Sequence, residues 1–317
     1  MCDIFDPEDI DMLKLKSKIM IDHINAFNVS SRKENDSNNK MRERIVENII
    51  NNSIPSHYFE NERWYHLREE IHEFYSKLSL SENILIASVK CNIKAGRGNC
   101  YDFDFVINEK TDNLILSIEW KFNAKTIQGT PQISSPSNPS QYLNINYEGY
   151  HYDNYLPKIL EGTDIKIPDK ETYMKDVHLN KSKSLKDIQD NYYKGCKTSS
   201  KFTGKEDDIE YYKKLKKTSK ESIQSFMKNA ELNCSELSKY LQKKQKDKIY
   251  MLYKNGKINL QKINSNDYII LSYEKNIKLQ SFIATCVSGL KLKIMLRWKN
   301  GHGVALPAFQ ISILKGK

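Results

Sequence analysis

The stretch from Cys100 to Ala124, CYDFDFVINEKTDNLILSIEWKFNA, constrains this chain more than any other. Its period of two divides it into two strands, each with an apolar face and a chemical face. In the first, Tyr101, Phe103, Phe105 and Ile107 fall on one side, and Asp102, Asp104 and Val106 on the other. The second puts Leu114, Leu116, Ile118, Trp120 and Phe122 on one side, and Ile115, Ser117, Glu119 and Lys121 on the other. Turn-forming residues between Asn108 and Asn113 predict an antiparallel hairpin. Opposed residue numbers in such a hairpin have a constant sum. A loop over 110–113 sets Asp104 directly against Glu119, and a loop two residues longer sets Asp102 there instead.

Directly opposed side chains lie about 5 Å apart at Cβ, a separation that suits two carboxylates sharing one divalent cation. Without a cation between them, each carboxylate raises the other's pKa. Mg²⁺ is satisfied by one or two carboxylates, several waters and a substrate phosphate. Lys121, two residues beyond Glu119, falls on the same face, where an ammonium can orient a water or balance charge on a scissile phosphate. These residue types fit metal-assisted phosphodiester hydrolysis. The plainer alternative is a half-exposed hairpin whose outer face carries weak cross-strand ion pairs.

Asp104-Phe105-Val106-Ile107 followed by Ile118-Glu119-Trp120-Lys121-Phe122 resembles the core of the PD-(D/E)xK nuclease superfamily, with Phe103 in place of that family's proline. In that family the aspartate opens the second core strand and the Glu-x-Lys lies on the third. The resemblance implies an α+β restriction-endonuclease-like core with a mixed central sheet flanked by helices. It implies Asp104 and Glu119 as ligands of Mg²⁺ or Mn²⁺ and Lys121 as the catalytic lysine, with Asp102 the alternative ligand. It also implies a glutamate from the preceding helix near the metal, for which Glu70 is the candidate. Duplex DNA is the default substrate of a restriction-type enzyme, RNA the second. A homodimer is an arrangement that many such enzymes adopt.

Helical spacing supports the order of elements. Residues 8–27 suggest a first helix, 28–39 a linker, and 41–50 a second helix. Trp64, Leu67, Ile71, Phe74, Tyr75 and Leu78 form one stripe of a third, with Glu70 at its edge. A strand over 84–93 and a glycine-rich basic turn containing Arg97 lead into the aspartate strand. After Lys121, glycine and prolines predict a long loop in which Gln132 is an accessory candidate.

The net charge of +10 points to a polyanionic partner, nucleic acid, although an excess of lysine over arginine also follows from composition alone. Much of the excess lies between Lys181 and Lys248, where Lys213, Lys214, Lys216 and Lys217 sit on an amphipathic helical pattern. From Ile249 onward the pattern returns to strands, with Asn255-Gly256 and Asn300-Gly301 as turns and with Arg297 and Lys299 alternating along one strand. These strands either complete the core sheet or build a second β layer.

The expected domains are 1–39 (helix and linker), 40–160 (nuclease-like core), 161–248 (lysine-rich helical insertion) and 249–317 (β-rich). No apolar run is long enough to span a membrane, and the acidic start is unlike a signal peptide, so a soluble intracellular protein is expected. Six scattered cysteines without a CxxC pair argue against a zinc site or a disulfide framework. The rival to a nuclease is a nucleic-acid-binding protein with a degenerate nuclease-like core.

Overall fold

The computed structural model describes residues 18–86, 88–94, 101–108, 113–136, 138–161, 166–179, 206–301 and 304–314. Arg97 and residues 180–205 of the lysine-rich segment lie outside them. The chain divides into two compact units, Met1–Thr130 with Asp247–Ile263, and Pro131–Lys246 with Asn264–Lys317. The first unit therefore ends at Thr130 rather than near 160, and it reclaims the chain at Asp247.

Three helices open the first unit: α1 (18–25), α2 (Arg32–Ile50) and α3 (Glu62–Glu82). The expected linker over 28–39 is shorter than its polarity suggested, because a capping box joins Ser31 and Glu34 and starts α2 at Arg32. Asn61 caps α3 by accepting from the Arg63 amide, and Asn83 ends it in the left-handed conformation at φ 54°.

The strands are β1 (Val89–Ile93), β2 (Phe103–Asn108), β3 (Asn113–Phe122), β4 (Lys248–Lys254) and β5 (Lys257–Lys262). They form one sheet in the order β1-β2-β3-β4-β5. Every neighbouring pair is antiparallel except β3 and β4. A parallel pair needs a long crossover, and here the chain between Asn123 and Asp247 supplies it. The β4–β5 turn is the expected Asn255-Gly256, with positive φ at both residues.

The α3 stripe of Trp64, Leu67, Ile71, Phe74 and Leu78 is buried together with Ile45, Val46 and Ile49 of α2. Both helices pack on the apolar sheet face formed by Phe103, Phe105, Ile118, Trp120, Ile249 and Met251. The acidic side chains of the β2–β3 hairpin consequently belong to the opposite face.

Side chains from the helices also close both sheet edges. On β1, Asn51 donates to the Cys91 carbonyl at 2.9 Å and accepts from its amide at 2.8 Å, while Glu47 accepts from the Ile93 amide. On β5, Glu70 accepts from the Ile258 amide at 2.8 Å, and Glu82 pairs with Lys262. Backbone groups that would otherwise template another strand are thereby occupied.

The second unit contains helices α4 (Glu206–Met227) and α5 (Cys234–Gln245) and short helical turns between Tyr147 and Leu160. Its strands β6 (Ile270–Asn276), β7 (Ser281–Cys286), β8 (Lys291–Gly301) and β9 (Val304–Ile313) form an antiparallel sheet in chain order. The C-terminal strands thus serve both expected purposes: β4 and β5 complete the first sheet, and β6–β9 build a second. No helix of the described residues is long and apolar enough to cross a membrane.

Asn51→Ala should lower stability by about 1–3 kcal/mol, because it strands a donor and an acceptor of β1. Urea unfolding of the variant beside the parent chain measures this, and an unchanged midpoint would refute the edge-closing role of Asn51.

Candidate active site

The hairpin register decides which carboxylates meet. Asn108 pairs with Asn113, so Asp104 stands opposite Ser117. This corrects the expected direct opposition of Asp104 and Glu119, which are instead diagonal neighbours on one face. Diagonal positions lie about 7–8 Å apart, within reach of two carboxylates joined through a cation.

At Asp102 the regular ladder stops. Its amide donates to the Ile118 carbonyl at 3.0 Å, while its Oδ2 accepts from the Trp120 amide at 2.9 Å. A side chain has replaced a strand acceptor, which pins the Asp102 carboxylate beside the Glu119–Lys121 segment. Burial and then the charge of Glu119 push its pKa up to about 6, against the pull of Lys121 and the Trp120 amide.

Glu119 is almost fully buried at 7% exposure. Its Oε1 accepts from Lys121, and its Oε2 lies 3.3 Å from Lys248 Nζ. Burial depresses the Lys121 pKa, but the neighbouring charges of Glu119, then Asp102, more than reverse this and leave the pKa above that of a free lysine. Lys121 is therefore an ammonium in the metal-free protein. No motif in the sequence marks Lys248. The parallel β3–β4 register places it across from Ser117, one pleat from Glu119. Its one sequence signal is a lysine opening a strand whose next four residues, Ile249 to Leu252, are all buried.

Asp104 is 8% exposed, with Oδ2 3.2 Å from Lys94 Nζ. Its Oδ1 is buried and accepts no hydrogen bond, and Glu119 Oε2 likewise accepts none. Buried oxygens in that condition are costly unless something else coordinates them. A further carboxylate, Glu43 of α2, is raised to about 7 by burial and by the charge of Asp102.

Glu70 does not join this group. Its carboxylate is held on β5 by Lys257 Nζ at 2.6 Å and the Ile258 amide at 2.8 Å. Instead of a metal ligand, it is a buried tie between α3 and the outer strand. The edge of the α3 stripe marks Glu70 as buried but carries no sign of its partners on β5, and no local pattern marks Glu43, which α2 brings near Asp102. Gln132 is exposed and falls in the second unit. Lys213, Lys214, Lys216 and Lys217 are exposed on α4 of the same unit.

Among the described residues, no group of three or more His, Cys, Asp or Glu side chains is arranged to hold a metal ion. Two carboxylates are nevertheless sufficient for Mg²⁺ when waters and a substrate phosphate complete its shell. Asp104 Oδ1, which accepts no hydrogen bond, and Glu119 Oε2, which meets only the Lys248 ammonium, are hard donors of the right kind. Two cavities in the unit, of about 430 and 400 Å³, are lined by other residues. Comparison with protein-family models, with curated proteins and with solved structures returned no match.

The raised pKa of Asp102 fixes a sign. Between its unfolded and folded values the native state holds more protons, so this group favours folding at low pH and opposes it as pH rises through about 6. Asp102→Asn, which retains an acceptor for the Trp120 amide, should raise metal-free stability by about 1–2 kcal/mol at pH 8 and leave it nearly unchanged at pH 4. Denaturant titrations at the two pH values test this; equal effects at both would refute it.

Proposed function

We propose that the first unit is a metal-dependent phosphodiester hydrolase of the PD-(D/E)xK type, acting as an endonuclease on nucleic acid, with duplex DNA the default substrate. The observation that carries this reading is the placing on one face of buried Asp104, whose Oδ1 accepts no hydrogen bond, and buried Glu119, whose Oε2 meets only the Lys248 ammonium, beside a charged Lys121. The aspartate strand is second and the Glu-x-Lys strand third in a mixed sheet whose other face carries the helices. That is the order the resemblance implies. Glu43 of α2, rather than Glu70, supplies the helix-borne carboxylate near the pair.

Asp104 and Glu119 would hold the Mg²⁺ or Mn²⁺, which supplies a Lewis acid for the phosphate and a more acidic water. Lys248, paired with Glu119 Oε2, fixes the plane of that carboxylate. The Trp120 amide holds Asp102 in place at the strand entry. Lys121 reaches the same face from β3, where its ammonium can orient the attacking water and meet the negative charge that grows on the phosphoryl oxygens. Attack forms a new P–O bond to the water oxygen and breaks the bond to the departing ribose oxygen, which takes up a proton.

A second reading, a nucleic-acid-binding protein with a nuclease-like core that no longer cuts, draws on the ion pairs of Lys94, Lys121 and Lys248, which already offset the buried carboxylates.

Cleavage of plasmid DNA and of single-stranded RNA, with Mg²⁺ and then Mn²⁺, separates the two. Asp104→Asn, Glu119→Gln and Lys121→Ala should each lower the cleavage rate about 100-fold or more while circular dichroism stays unchanged. Full activity in these variants would sink the proposed site, and whichever polymer is cut identifies the substrate. An inactive parent chain that binds nucleic acid equally well in chelator would favour the second reading.

A further inference from the structure

Three lysines meet the buried carboxylates of β2 and β3, and they differ in freedom. Lys94 lies 3.2 Å from Asp104 Oδ2 with 44% of its side chain exposed, and Lys121 reaches Glu119 Oε1 with 22% exposed. Lys248 lies 3.3 Å from Glu119 Oε2 with only 3% exposed. A lysine stem with open surface beside it can turn its ammonium aside into water. Lys248 has no such route. Its Nζ also stands 5.7 Å from the ring centroid of Tyr250, a residue that is itself buried.

The backbone holds Lys248 as firmly as its surroundings do. Strand β4 is interior to the sheet, paired with β3 on one side and β5 on the other. Its Ile249 and Met251 are locked into the core beneath the helices, so Lys248 and Tyr250 belong to the face of the acidic pair. The register sets Lys248 across from Ser117 and Tyr250 across from Glu119. Glu119 thus carries one negative charge and meets two ammoniums, one on each oxygen. Only the one on Oε1 has solvent to move into.

We propose that Lys248 is a built-in competitor for Glu119 Oε2 that holds the affinity of the site for a divalent cation low. The inference rests on the metal-dependent reading of Asp104 and Glu119. A cation on Oε2 would share that oxygen with an ammonium that cannot turn away, and like charges repel more strongly where water is scarce. Lys121 is free of this conflict, because its ammonium can turn from Oε1 toward a phosphate. A phosphate beside the cation would add negative charge and offset Lys248, so the site favours cation and phosphate together over the cation alone.

Isothermal titration of Mn²⁺ into the full chain, at pH 8 and without nucleic acid, reads this affinity directly. Lys248→Met keeps an apolar stem and removes the charge, and it should tighten Mn²⁺ binding about tenfold or more. Lys248→Gln should move the affinity in the same direction, which keeps the test decisive if the methionine variant misfolds. Lys248→Arg retains the charge and should bind as the parent chain does. A lysine that served only to hold Glu119 in position would give the opposite sign, with weaker binding in the methionine and glutamine variants. That result, an unchanged affinity, Mn²⁺ binding that survives Asp104→Asn, or no binding by parent and variants alike would overturn the proposal. Its fate is separable from that of the nuclease reading: cleavage that Asp104→Asn abolishes, with Mn²⁺ affinity unmoved by Lys248→Met, refutes the competitor alone, and tightened binding without any cleavage by the parent chain refutes the nuclease alone.

Discussion

The ion cluster around Glu119 is the constraint on which the first unit turns. A carboxylate at 7% exposure is tolerable because two lysines reach it from different strands, Lys121 from its own and Lys248 from β4. Desolvating such a group costs several kcal/mol, and removing one partner of a buried pair leaves that cost uncompensated. Lys248 reaches Glu119 because β4 lies beside β3 in a register that sets it across from Ser117. The cluster therefore depends on the chain returning to the sheet after more than a hundred residues spent mostly in the second unit. An electrostatic requirement at one residue thus bears on the connectivity of the whole chain.

How far the sequence discloses this follows from the range of each interaction. The two faces of the β2–β3 hairpin are legible because a period of two is local, and Phe103, Phe105 and Ile118 are fully buried as that period demands. The register was not, since several turn-forming residues lie between Asn108 and Asn113 and more than one loop position closes the hairpin. Moving the pairing by two residues places Ser117, not Glu119, across from Asp104. Helix stripes were equally legible, yet a stripe fixes only which side of a helix is buried. It could not show that Glu70 would be consumed by β5 while Glu43 came near Asp102. Lys248 was hidden for the same reason: strand neighbours far apart in sequence leave no local pattern.

The unit boundary also resisted composition. Proline and glycine after Lys121 mark a real departure from the sheet, but a loop of that kind does not say which unit the following residues join. Residues 133–136 pair along β9, with the Ile133 amide donating to Ile311 and the Ile311 amide to Ser134. Backbone hydrogen bonds made with a strand nearly two hundred residues later assign the segment to the second unit. Polar composition at 28–39 misled in the other direction, since one capping box was enough to begin a helix inside it.

The charge of the chain takes on a different meaning once its placement is known. Around Glu119, the carboxylates of Glu43, Asp102 and Asp104 face Lys94, Lys121 and Lys248, so that region is close to balanced and contributes little to the +10 total. For the proposed chemistry on phosphate such a balance would be apt, since excess positive charge would weaken cation binding and excess negative charge would repel a phosphate.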